Sequence, residues 1–286
     1  MRYFKIIKKT LPIFLSFFFT LPSYSYSQQS TDKVYIVGVV PQYAIKVIHS
    51  IWLPILKELE KETGLKFKIK GSPNIPAFEK SMHAGEYDFV YMNPYHLVWS
   101  QDTQKYVPLV RDHGRQLNGV LVVRKDSSIT DVKQLDGKTI AFPSPNALGA
   151  SLLMRAELNK KHNISITPRY VNSHDSVFLN VVFKQTDAGG AVQRTLSKQQ
   201  SKIKDQLKVL YRTEKVNPHP FASHPRISKA IADSVQKGLM AISKDENVNK
   251  LLSKIPMKNM GLATLDDYDY VKQLGLDEFR VGNYHK

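Results

Sequence analysis

Short apolar runs alternate with amphipathic stretches along most of this chain, and that alternation limits the possible folds more than any other feature. "VYIVGVV" (34–40) is an uninterrupted β-branched run, the pattern of a parallel strand buried on both faces. An amphipathic helix follows, because Ile48, Ile51, Trp52, Ile55, Leu56 and Leu59 share one face at helical spacing. Pro54 sits inside that pattern, so the helix is expected to kink or to start there, and Gly64 to end it. "LKFKIK" (65–70) alternates apolar and basic residues like a half-exposed strand. A helix near 75–84, a strand over "YDFVYM" (87–92) and a helix capped by Asn93 with Pro94 in its first position complete a β-α-β-α-β-α third.

The middle repeats the pattern. Strands are expected over "GVLVVRK" (119–125), "KTIAF" (138–142), "SITPRYV" (165–171), "DAGGAV" (187–192) and "LKVLYRT" (207–213), with helices over 146–160 and 175–183. The tail reads as mostly helical, with Ile227, Ala230, Ile231, Val235, Leu239 and Ile242 on one stripe. Strands alternating with helices predict an α/β protein of mostly parallel sheets covered on both faces. The length suits two similar lobes better than one, and the extended segments 117–124 and 207–215 are the natural crossings between them.

Residues 1–27 read as a cleaved signal peptide. Arg2, Lys5, Lys8 and Lys9 precede an apolar run from Leu11 to Leu21, and Ser25-Tyr26-Ser27 supplies small residues for cleavage. The apolar run is about half of the ~20 residues a membrane span needs, which disfavours an anchor. The formal charge of the chain is +16; losing those four basic residues leaves 37 Lys and Arg against 25 Asp and Glu, or +12. That balance favours anionic ligands, although several lysines (Lys57, Lys61, Lys66, Lys68, Lys70) read as a solvated face. The chain has no cysteine, which excludes disulfides and a lipidated N-terminal Cys. The expected location is the periplasm of a Gram-negative cell, with outright secretion as the alternative.

"FPSPNALGAS" (142–151) is a strand–turn–helix junction, which aims free backbone N–H groups at whatever lies above the helix start. It has neither a Gly-rich cradle nor a lysine, so it reads as a ligand loop or as a tight connection. No Gly-x-Ser-x-Gly, P-loop or Gly-x-Gly-x-x-Gly motif occurs, and Asp266 and Asp267 are adjacent and point to different faces. His219 and His224 lack the further ligands of a zinc site. Neither metal nor cofactor is expected.

Four phrases in order, "VGVVPQY", "GEYDFVYMNPYHLV", "VRKDSSITDVKQLDGKTIAFPSP" and "VNSHDSVFLNVVFKQTDAG", resemble the periplasmic phosphonate-binding family of ABC-transporter solute receptors. The resemblance covers nearly all of residues 33–275. It implies a two-lobed type II periplasmic-binding fold, with 28–118 and 217–286 in a discontinuous first lobe and 119–216 in the second. Ligand would lie in the cleft, at strand C-termini and helix N-termini. Members that bind phosphonate carry Ser-Thr-Ser-Gly-His at the turn above. Aligned on Gly149, this chain has Asn146-Ala147-Leu148-Gly149-Ala150, with Ser151 just beyond, so the usual hydroxyl and imidazole grip is gone.

The resemblance also implies ligand contacts from Tyr43 and from His174 and Asp175 at the start of a second-lobe helix, while Met92 and Asn93, with Tyr95 just beyond, end a strand and begin a helix at the end of the sheet that faces the cleft. Asn93 would cap its helix in any case, and Asp175 or Ser173 would cap the other. Gln193 and Arg194 follow a short strand, and Arg194 offers a fork for an oxyanion; His219 is expected to line the cleft. The function implied is capture of a small anionic solute, phosphonate-like, phosphate-like or another oxyanion, by a monomer that serves a membrane permease. The alternatives are a receptor that signals through a membrane sensor kinase and, ranked lowest, an enzyme. No nucleic-acid partner is expected.

Overall fold

Two sheets form, one from strands near both ends of the chain and one from strands of its middle. The computed structural model describes residues 33–282, with Met1 and Tyr3. Apart from those two residues, the expected signal peptide lies outside the described residues. In chain order the strands are β1 Val34–Val39, β2 Lys66–Lys70, β3 Phe89–Tyr91, β4 Val107–Asp112, β5 Gly119–Arg124, β6 Thr139–Phe142, β7 Thr167–Tyr170, β8 Ala188–Val192, β9 Leu207–Arg212, β10 Phe221–Ser223 and β11 Met260–Leu262. The helices are α1 Ile45–Thr63, α2 Ile75–His83, α3 Pro94–Ser100, α4 Leu153–Lys160, α5 His174–Val182, α6 Gln193–Ser197, α7 Ser201–Lys204, α8 Lys229–Ile242, α9 Glu246–Leu252 and α10 Asp269–Gln273.

The first sheet runs β11-β4-β10-β3-β1-β2 and the second β7-β6-β8-β5-β9. Each has a parallel core of three strands, β2-β1-β3 and β7-β6-β8, extended by antiparallel strands. The chain crosses between the sheets twice, and the crossings pair antiparallel at Leu117 and Val216, whose backbone groups exchange hydrogen bonds of 2.8 and 2.9 Å. The α/β class and the two-sheet plan with two connections agree with the sequence, but the expected crossings 117–124 and 207–215 are mostly β5 and β9, paired within the second sheet, and the chain crosses beside them, over 113–118 and 213–220. The strands β4, β10 and β11 were not expected. β4 contains Pro108, β10 is three residues inside a Pro-rich stretch, and β11 interrupts a helical tail. Short antiparallel pieces leave little periodic signal.

Pro54 neither starts nor ends α1, which runs through it from Ile45 to Thr63. An internal proline costs about 3 kcal/mol. The six apolar residues named above are all buried on the helix's inner face, each contributing roughly 1.5–3 kcal/mol, so burial wins. Gly64 closes the helix at φ 72° and donates to Glu60 O.

The helix expected over 146–160 opens as a π-helical turn, Leu148–Leu152, before α4. It lies flush on the second sheet: a Cβ on Gly119 would sit 1.9 Å from Gly149 O, and one on Gly190 would sit 2.2 Å from Ala150 O. Glycine at those two strand positions lets the helix start approach so closely. The largest apolar cluster joins Ala147, Leu148, Leu152 and Val192 to the core around the first sheet. Two smaller clusters cover the faces of the second sheet. Asp32–Lys286 accordingly forms one compact unit.

Candidate functional site

The parallel strands of both sheets end at a shared cleft. From the first sheet come the loop after β1 (Pro41 to Ala44), the end of β3 with Asn93, and His219 ahead of β10. The second sheet contributes the turn after β6 (Ser144 to Ala147), the N-terminus of α5, and Gln193 with Arg194 after β8. Helix starts and strand ends therefore converge there, the arrangement by which open α/β sheets place ligands.

One part of this face is closed by protein. Asn146, fully buried, donates through Nδ2 to Glu79 Oε2 at 3.1 Å and to Val281 O at 2.9 Å, and its Oδ1 accepts from Val281 N at 3.0 Å. Its own carbonyl accepts from Asn93 Nδ2 at 3.3 Å. Glu79 is buried as well, and its other oxygen meets His96 Nε2 at 2.9 Å. The C-terminal segment that carries Val281 is itself held down: the Arg280 guanidinium lies 4.5 Å from the Trp99 ring centroid, and Asp277 accepts from Tyr95 OH at 2.6 Å. The turn of 144–147 is thus tied to α2, α3 and the C-terminal segment at once.

The other part carries polar atoms with no partner in the protein. Tyr91 OH, His174 Nδ1, His219 Nδ1 and Arg194 Nε are all buried and unpartnered, as is Ser144 Oγ. Such atoms cost about 1–3 kcal/mol each, so a cluster of them marks a site completed by something else. The first four are neighbours. Tyr91 and His219 stack with centroids 5.3 Å apart, Arg194 acts electrostatically on Tyr91, and His174 does so on His219. Burial pushes the Tyr91 hydroxyl well above its usual value, which keeps it a donor. Burial, reinforced by His96 and His174, pushes His219 down to about 3, and burial pushes His174 down to about 4. Both imidazoles are neutral at pH 7. Gln42 Nε2 lies 2.8 Å from His219 Nε2; with the amide donating, the His219 proton sits on Nδ1 and points at no protein acceptor. A cavity of about 80 Å³ reaches His219, Tyr43 and Arg194, and one of about 430 Å³ reaches Tyr43, His174 and Asp175.

The sequence candidates divide between these parts and the core. His174, Arg194, His219 and Tyr43 come together. Arg194 also donates through Nη2 to Ser253 O at 2.7 Å, and Lys198 Nζ lies 3.5 Å from Tyr43 OH, so both cations, which follow the second-sheet strand β8, reach residues outside the second sheet's part of the chain. Asn93 caps α3 by accepting from His96 N at 2.8 Å. Asp175 is exposed and accepts from Gln199 at 2.6 Å, while Ser173 caps α5. Gln193 contacts Arg212 and Ser197. Ser151 accepts from Arg155 at 3.2 Å beneath the turn. Met92, Ala147 and Leu148 are buried in the large apolar cluster, and Gly149 lies against β5. Tyr95 turns away toward Asp277 and Trp99. Sequence reasoning did not single out Gln42, Glu79, Tyr91, Ser144 or Val281. Tyr91 had a usable signal, since it ends the strand that delivers Asn93. Among the described residues no group of three or more His, Asp or Glu could hold a metal ion, and no helix is long and apolar enough to cross a membrane.

Comparison with known proteins places this geometry in context. Residues 37–270 match the profile of the family described as ABC transporter, phosphonate, periplasmic substrate-binding protein. The phosphate-import protein PhnD of Mycolicibacterium smegmatis is 24% identical over 205 residues, 64% of this chain and 64% of its own length, so the match spans just under two thirds of that relative. The phosphonates-binding periplasmic protein of Escherichia coli is 23% identical over 251 residues, covering 82% of this chain and 74% of its own. Among solved structures, PhnD1 from Prochlorococcus marinus in complex with methylphosphonate superposes with a TM-score of 0.74 at 20% identity, covering 85% of this chain and 97% of that one.

Proposed function

The chain belongs to the family of periplasmic substrate-binding proteins of phosphonate ABC transporters, and from that premise we propose that it captures a tetrahedral oxyanion of the phosphonate or phosphate class in the cleft and presents it to a membrane permease. One observation carries the reading: Tyr91 OH, His219 Nδ1, His174 Nδ1 and Arg194 Nε are buried, unpartnered and grouped at the ends of the parallel strands. An oxyanion accepts from several donors at once, and charge-assisted bonds of this kind are the strong ones. The altered turn at 146–150 is not the grip in this reading. The Tyr91–His219 side takes its place, with Arg194 supplying the positive charge.

Export by a cleaved peptide at 1–27 puts the mature chain in the periplasm. Segments 28–118 and 217–286 act as one lobe and 119–216 as the other, moving about the two crossings at Leu117 and Val216. Asn146, Arg194 and Lys198 hold the lobes together when closed.

Calorimetric titration tests this with methylphosphonate and inorganic phosphate, using acetate as the planar control. Saturable one-site binding of a tetrahedral anion, with acetate inert, is the expected result. No binding of either tetrahedral anion, together with a cationic or neutral molecule found on the purified protein by native mass spectrometry, would overturn it.

A further inference from the structure

A second cavity of about 820 Å³ lies against the crossings, and its lining includes Arg111, Arg115, Arg194, Lys198 and Lys215 with no carboxylate. Several of these cations are committed. Arg111 pairs with Asp267 at 2.7 Å, Arg194 holds Ser253 O, and Lys198 holds Lys254 O at 3.2 Å. Carbonyl partners leave the charge of Arg194 and Lys198 uncompensated. Arg115 and Lys215 are exposed and make no ion pair or side-chain hydrogen bond among the described residues. They flank the bridge at Leu117 and Val216, one on each crossing, so the fold brings two cations together although they are far apart in sequence. Both line one cavity that holds no carboxylate to offset them, and an anion in it would lower the repulsion among its cations.

This cavity is not isolated from the cleft. Arg115, Asn118, Gln193 and Arg194 line both it and the smaller cavity that reaches His219 and Tyr43. A ligand with its tetrahedral head by His219 and Arg194 would meet the basic space across the side chains that the two cavities share. The volume lies within the range of small-molecule sites and greatly exceeds what a methyl group beside the head would fill.

We infer that the basic cavity at the crossings is a second anion subsite, which takes a carboxylate or second phosphate on the tail of an extended phosphonate or phosphate ester. The inference rests on the oxyanion reading of the cleft and adds the substrate class: the ligand carries two separated anionic groups, with Arg115 and Lys215 reading the second.

Calorimetry at fixed ionic strength compares methylphosphonate with 3-phosphonopropionate, which adds a carboxylate on a short tail. The readout is the ratio of the two affinities. The wild type should prefer 3-phosphonopropionate by about ten-fold or more. The double variant Arg115→Gln/Lys215→Gln should bring the ratio close to one. A control, Lys66→Gln/Lys68→Gln on the solvated face of β2, removes the same charge and should leave the ratio as in wild type, which separates a local subsite from the general field of a basic protein. Equal affinities in the wild type, or a preference that survives the double variant, overturn the subsite while the cleft reading stands. If neither compound binds, both fall together.

Discussion

The two parts of the cleft face are built from the same kinds of residue and differ in how their hydrogen bonds are completed. The Asn146 side chain is fully completed by protein: both N–H donors and the carbonyl are used on Glu79 and Val281, while Ser144 Oγ, His96 Nδ1 and Arg280 Nε are single unpartnered atoms around it. Around His219 the polar atoms are as deeply buried, yet four of them have no protein partner. Burial alone therefore does not separate a structural network from a binding site. Completion does, because a native core tolerates few orphaned polar groups unless something else pairs them.

The largest effect expected from breaking this contrast is on the completed side. Asn146→Ala removes a partner from buried Glu79 Oε2 and from the backbone N–H and carbonyl of Val281, a residue that is itself exposed. The penalty falls on the buried Glu79 side, because the Val281 groups can turn to water, so stability should drop by roughly 1–3 kcal/mol, as measured by urea denaturation. Asn146→Asp should be no better, since it places a second carboxylate against Glu79. A change within about 0.5 kcal/mol for the alanine variant would mean that the turn is not held as described.

Arg194 belongs to both sides, which sharpens the comparison. Its Nη2 bond to Ser253 O reaches outside the second sheet's part of the chain, and its Nε faces the unpartnered group. Lysine keeps the charge and loses the fork. Arg194→Lys should weaken methylphosphonate binding by ten-fold or more, about 1.4 kcal/mol, with little change in the melting temperature of the free protein. A collapse of that temperature instead would assign Arg194 to the structural side.

The smallest effect comes from protons. The folded-state values of His174 and His219 are pushed down to about 4 and about 3, below the ~6.5 of an unfolded chain. Below pH ~6.5 the unfolded chain binds the more protons, so this part of the stability is complete above that pH and is lost as pH falls toward the folded values. Between pH 7 and 6 one such imidazole contributes a loss of roughly 0.7 kcal/mol. His219→Phe should remove that share of the acid sensitivity; a denaturation profile as steep as wild type would count against its burial as a neutral base.

How far the sequence reaches follows the same division. Periodicity located α1, α5 and the parallel strands, most of which bury a face; the exposed β7 showed only as a short extended run. It missed β4, β10 and β11, whose pairing depends on neighbours distant in the chain. The resemblance pointed to the cleft through Tyr43 and His174, and the residues themselves pointed to Arg194 and His219; the four do converge. The resemblance also directed attention to 146–151, where the residues present turned out to serve packing and contact with other parts of the chain. Asn146 gave no hint of this, because its partners Glu79 and Val281 are 67 and 135 residues away. Tyr91 looked like ordinary strand filling. Only its stack on His219 and its unpartnered hydroxyl set it apart.

The central claim is that the group around His219, and not the turn around Asn146, grips the ligand. His219→Phe tests it most directly: phenylalanine keeps the stack on Tyr91 and removes the Nδ1 donor, while half-buried Gln42 can turn to solvent. Calorimetric titration of methylphosphonate into this variant should show affinity reduced ten-fold or more relative to wild type, about 1.4 kcal/mol, with the free protein melting at the same temperature or higher because an orphaned buried donor is gone. Wild-type affinity in His219→Phe would contradict the account and return the grip to the turn.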